Sequence, residues 1–258
     1  MKSLVCIWTL AVNTVRESVR NRILYALLFF AVLLIGAGVI VGTLSYVESG
    51  RILQDIGLAA IRLFGVAIAI FVGIQLIHRE VDRRTVYTIL SKPLSRSDFL
   101  LGKFLGLTLM IWMQTAIMIA AFVAVSLATG ASLTFSHAAF FTLVAVELAL
   151  VVAVATLFSA FTTPMLAAFF TTAVWMVGQM TRDLRQIGAA SDVVWIERAT
   201  AALHRLLPDL ASFNLSVEAA HGLPVVASDV VLPLVYGLAY ATIVLLAAIA
   251  VFRRRDFR

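Results

Sequence analysis

Along this chain, long apolar runs alternate with short charged intervals. The runs at 23–44, 57–77, 99–127, 138–160, 165–180 and 230–252 carry almost no charge. A helix rises about 1.5 Å per residue and a bilayer hydrocarbon core is about 30 Å thick, so about 20 apolar residues suffice to cross it. The pattern predicts an all-α polytopic membrane protein with six transmembrane helices, the fifth built from the shortest run. Gly38 and Gly42, four residues apart in the first run, would let a neighbouring helix approach closely.

The stretch before the first run follows another rule. As a helix over 3–22 it places Leu4, Trp8, Ala11, Val12, Val15 and Val19 on one side and Asn13, Arg16, Glu17 and Arg20 on the other. That is the pattern of an amphipathic helix lying in the membrane interface, with Trp8 in the apolar layer and Arg16 and Arg20 toward the headgroups. The apolar stretch Leu4 to Val12 is followed by arginines rather than by a small-residue cleavage site, which argues against a signal peptide.

Charge is concentrated between the second and third runs, from His78 to Lys103. Arg79 to Ser91 reads as a short helix, with Val86, Ile89 and Leu90 on one face and Glu80, Asp82, Arg83, Arg84 and Thr88 on the other. Pro93 ends it, because proline has no N–H to donate and biases Lys92 away from helical geometry. Ser95 and Asp98 then stand three apart, as in a capping box for the next helix.

Composition agrees with this reading. With 62% hydrophobic and 13% charged residues and a mean hydropathy of +1.03, the chain lies outside the range of soluble globular domains. Without a repeat or a linker-like tract, residues 1–258 read as a single membrane domain. The net charge of +6 sits beside the apolar runs rather than on one soluble face, so no nucleic-acid partner is expected. Of the 20 Lys and Arg residues, 14 fall within 1–22, 79–103 and 253–258. Positive charge favours the cytoplasmic side, so both termini and the 79–98 segment are expected there, with 181–229 extracytoplasmic. Arg62 is expected to snorkel to the outer interface, and Lys103 to reach back to the cytoplasmic headgroups.

Candidate chemistry is sparse. Glu147 stands near the middle of the fourth run, where an ionised carboxylate costs several kcal/mol unless paired or hydrated. It is a candidate pathway residue, and an equally open role is to hold helices together. Gly102-Lys103 is followed by Phe104 and has Ser97 where a phosphate-binding loop needs its first glycine. Neither a metalloprotease HExxH nor a nucleophile elbow occurs. His137, His204 and His221 are spaced apart and read as surface histidines rather than a metal site, and the single Cys6 excludes an internal disulfide. No catalytic residue, metal or cofactor is expected on this chain.

Two stretches carry a family resemblance. Arg84-Thr85-Val86-Tyr87-Thr88-Ile89-Leu90-Ser91-Lys92-Pro93-Leu94-Ser95-Arg96, followed by Gly102-Lys103, resembles the segment after the second transmembrane helix of ABC-2 type permeases, the membrane subunits of ABC exporters. Many members have glycine where this chain has Arg84. Leu206-Leu207-Pro208-Asp209-Leu210, running on to Phe213-Asn214-Leu215, resembles the stretch before the family's last span. The resemblance implies that 79–98 contains a coupling helix seated on a separate ATPase, with Glu80, Arg83, Arg84, Thr85, Val86, Tyr87, Ile89, Leu90, Lys92 and Pro93 as its contact residues. It further implies ATP and Mg on that ATPase, two ATPase copies, and a second permease subunit forming a homodimer. Export across the inner (plasma) membrane and an accessory protein at the extracytoplasmic segment complete the expectation. An ion-coupled secondary transporter using Glu147, or a membrane scaffold, stays open as an alternative.

Overall fold

The computed structural model describes residues 2–20, 22–43, 49–82, 96–189 and 193–254. All of its regular elements are helical. Among the described residues, five helices are long and apolar enough to cross a membrane: α2 (Arg22–Thr43), α3 (Ser49–Asp82), α4 (Arg96–Ala128), α5 (Phe135–Ser159) and α10 (Ala227–Arg254). The run predicted to make the fifth crossing forms α6 (Pro164–Gln179), whose 16 residues span only about 24 Å.

α5 holds the centre of the bundle: 78% of its span window is buried, against 22% for those in α2 and α10. It packs against α3, α4, α6 and α10. The peripheral helices turn side chains such as Phe29, Leu33 and Ile40 on α2 outward, an apolar surface of the kind that lipid covers.

Contacts at the helix ends fix which termini lie together. Phe99 and Leu100 at the start of α4, Ala160 after α5, and Ala248 and Phe252 near the end of α10 form one cluster. Arg253 Nη2 donates to Ser97 Oγ at 3.3 Å beside it. At the opposite end, Gln54 Nε2 donates to the Ser132 carbonyl at 2.9 Å and Ser136 Oγ to the Leu223 carbonyl at 2.7 Å.

Three expectations change. First, α3 is a single helix from Ser49 to Asp82: Arg51 and Asp55 lie inside it, and Arg79 to Asp82 continue the span instead of opening a separate helix. Neither proline nor glycine interrupts the stretch after Gly73, so propensity offers no stop before Asp82. Second, Lys103 does not reach for headgroups. Its side chain is 1% exposed and its Nζ lies 3.6 Å from Glu17 Oε2. Third, His137 is buried, stacked on Phe122, with its Nδ1 accepting the Thr134 N–H at 3.1 Å at the start of α5.

The Glu17–Lys103 contact belongs to a seam between α1 (Lys2–Val19) and α4. The side of α1 that docks consists of small residues, Ala11, Thr14 and Ser18, all buried. It meets Gly102 and Gly106, where an added Cβ would come within 2.7 Å of Leu10 Cβ and 2.6 Å of Thr14 Cβ. Val5 and Trp8 point away and stay exposed.

After α6 the chain forms the paired helices α7 (Thr181–Ala189) and α8 (Val194–Leu206), a 3-10 turn (Leu210–Phe213) and the short α9 (Ser216–Ala220) before α10. Residues 208–213 return into the bundle between two glycines. A Cβ on Gly178 of α6 would meet Leu210 and the Pro208 carbonyl at 2.9 Å, and one on Gly237 of α10 would meet Phe213 at 2.7 Å. Leu210 and Phe213 are both buried there.

Candidate functional site

Arg62 of α3 and Glu147 of α5 meet inside the bundle. Arg62 Nε donates to Glu147 Oε2 at 2.8 Å and its Nη2 to Glu147 Oε1 at 3.1 Å. The same Nη2 donates to Gln179 Oε1 at 2.8 Å and to the Leu210 carbonyl at 3.2 Å. Glu147 Oε1 also accepts from Trp175 Nε1 at 3.1 Å and from Gln179 Nε2 at 2.9 Å. The Glu147 side chain is fully buried and that of Arg62 is 12% exposed.

Local sequence places each of these groups. Glu147 is twelve residues from either end of α5, so it stands at the helix midpoint. Trp175 and Gln179 are four apart on α6 and therefore share a face. Gln179 is the last residue of α6, so this helix ends at the level of Glu147, part-way along α5, and the returning segment brings the Leu210 carbonyl to the same level.

The electrostatics follow from the geometry. A lone charge in an apolar bundle is costly, whereas a guanidinium forked onto a carboxylate, with further hydrogen bonds on both partners, recovers much of the desolvation cost. Arg62 therefore turns inward instead of snorkelling to the outer interface, because its counter-charge is inside. The sequence contained a clue: one Arg and one Glu of opposite sign, each alone in a different apolar run. Spacing could not pair them, since 85 residues separate the two. Nor did it identify Trp175, Gln179 or the Leu210 carbonyl as partners.

This cluster joins α3, α5, α6 and the 3-10 turn at one point, and its chemistry is positional. It offers no nucleophile, and among the described residues no group of three or more His, Cys, Asp and Glu could hold a metal ion.

The other predicted site residues lie elsewhere. Trp8, Arg16 and Arg20 are exposed on α1 and after it. Glu80 falls in the last turn of α3, about 27 Å along the helix from Arg62. Arg83, Arg84, Thr85, Val86, Tyr87, Ile89, Leu90, Lys92 and Pro93 lie outside the described residues.

No curated protein matches the chain. The family model described as ABC-2 family transporter protein matches residues 8–257, nearly the whole length, from the exposed Trp8 through the buried ion pair to the basic end after α10. On that match the chain belongs to the ABC-2 family of transporter proteins: it is a multi-pass membrane component of an ABC transporter and not itself catalytic.

Proposed function

We propose that this chain is the pathway-forming permease of an ATP-driven exporter, paired with a second copy of itself and driven by two separate ATPase chains that carry ATP and Mg. Both termini and the 79–98 segment face the cytoplasm, and the membrane is the cell's inner (plasma) membrane. The chain passes six times, with α6 and the segment that follows it making the fifth passage. In support, the ends of α4, α5 and α10 gather at the end of the bundle that carries Arg253, as an even number of passages requires.

The observation that carries this reading is the continuity of α3. One helix runs without a break from Arg62 in the buried cluster to Asp82, where the predicted coupling segment begins. Closure of the ATPases would displace that segment and tilt α3 about Arg62, which Glu147 and the Leu210 carbonyl hold in place. The wedge at 208–213, seated between Gly178 and Gly237, would then shift and change access between helices. Glu147 acts here as an anchor. Its two oxygens already accept four hydrogen bonds, which leaves little capacity for a coupling ion and weighs against the ion-coupled alternative.

The test is at the coupling segment. Val86, Ile89 and Leu90 with Tyr87 would fill a groove on the ATPase, while Arg83, Arg84 and Lys92 meet acidic groups at its rim. Tyr87→Ala and Leu90→Asp should lose the ATPase on co-purification or uncouple its hydrolysis from transport, with the membrane domain still folded. A normally coupled ATPase in both variants would refute the proposal.

A further inference from the structure

Away from the buried ion pair, a cleft of about 860 Å³ opens between α7, α8, the 3-10 turn, α9 and α10. Arg182, His204, Arg205, Asp209, Glu218 and Asp229 supply both signs of charge along its walls. Its walls are braced rather than loose. Tyr236 Oη accepts the Asp209 N–H at 3.0 Å, Tyr240 Oη donates to the Leu206 carbonyl at 2.7 Å, and Arg182 Nε donates to Asp209 Oδ2 at 2.9 Å.

Some of the lining groups are left over by this bracing. Arg205 and Glu218 make no ion pair among the described residues. His204 Nδ1 is buried and has no hydrogen-bond partner among them. Among the described residues, the Asp229 carboxylate accepts a hydrogen bond only from the Val226 N–H, at 3.3 Å. A cleft that keeps one guanidinium and two carboxylates available suits a ligand that itself carries both charges.

The floor adds a second requirement. Leu232, which lines the cleft, is the first of an exposed apolar row on α10 that continues through Val235, Ile243 and Leu246. From Leu232 to Leu246 the row is about 21 Å long, and one leaflet of the hydrocarbon core is about 15 Å thick. Moving an acyl chain from lipid onto such a row gains little, because lipid tails are as apolar as leucine. Recognition must therefore reside in the headgroup.

We propose that the cleft is a binding site for a zwitterionic phospholipid, with its phosphate toward Arg205 and His204, its amine toward Glu218 and Asp229, and an acyl chain along the α10 row. The site goes beyond coupling to an ATPase and does not depend on it.

Native mass spectrometry of the purified full chain reads this directly. The chain is presented with equal amounts of phosphatidylethanolamine and phosphatidylglycerol of identical acyl chains, without nucleotide or ATPase. Retention of phosphatidylethanolamine should exceed that of phosphatidylglycerol about fivefold; Glu218→Lys should remove this preference, and Arg205→Glu should lower the retention of both lipids about fivefold, the worth of one partly exposed charge contact. Ser228→Trp, at an exposed lining position, should block retention by bulk alone and serves if a charge variant misfolds. Thr129→Lys, exposed after α4 and outside the cleft lining, should change nothing. Equal retention of the two lipids, or parental retention in the folded cleft variants, would overturn the proposal while leaving the coupling reading untouched.

Discussion

Arg62 and Glu147 each carry a charge that only the other makes tolerable inside the bundle. Arg62→Met would leave the carboxylate with Trp175 and Gln179 as neutral donors and no cation. Removing one member of a buried pair costs about 3–5 kcal/mol, whereas replacing both by apolar groups is often close to neutral. Thermal unfolding in detergent should therefore show a large drop for Arg62→Met and recovery in the double variant Arg62→Met/Glu147→Leu. If the pair serves motion as well as stability, the recovered double variant should still transport poorly. A double variant as unstable as the single would show that Arg62 is held mainly by Gln179 and the Leu210 carbonyl. Both charged residues were visible in the sequence as anomalies within apolar runs. Their partnership was hidden because it depends on α3 packing against α5, which neither run encodes by itself.

At the scale of elements, α1 shows that helices dock by the size of their side chains as well as by their apolarity. Of the apolar side read from the sequence, Trp8 stays exposed while Ala11 is buried, and the helix docks through Ala11 together with the neighbouring Thr14 and Ser18. Close approach between helices selects small side chains over apolar ones, and Gly102 and Gly106 supply the matching surface on α4. Overfilling such a seam costs about 1–3 kcal/mol. Gly106→Leu should thus lower the unfolding temperature and raise amide hydrogen exchange across α1. Gly36→Ala, where an added Cβ meets nothing within 4 Å, should be neutral or mildly stabilising because alanine is the better helix former. Similar behaviour of the two variants would mean that α1 is not held by this seam.

For the whole molecule, run length fixed the long helices because crossing a bilayer requires little else, and the all-helical architecture was legible from it. The role of the run at 165–180 was not, since it was long enough to be counted as a crossing, whereas its helix of 16 residues is shorter than the hydrocarbon core is thick. The return of 208–213 into the bundle escaped for another reason: Pro208 and Asp209 mark a break, but the glycines that receive the segment lie on two other helices. Sidedness is testable with single cysteines in a Cys6→Ser background. Ser228→Cys, exposed at the start of α10, should react with an impermeant thiol reagent in intact cells, and Asn13→Cys, exposed on α1, only after lysis. The reverse pattern would invert the proposed topology.

The position of Arg62 along α3 has a mechanical consequence. It stands 13 residues from Ser49 and 20 from Asp82, which divides the helix into arms of about 20 Å and 30 Å. A rod pinned at that point is a seesaw with its fulcrum at the ion pair. A swing of about 3 Å at the Asp82 end would carry the Ser49 end about 2 Å in the opposite direction, by the ratio of the two arms. Closing one face of the bundle and opening the other would then be a single movement, with its sense set by where one arginine sits.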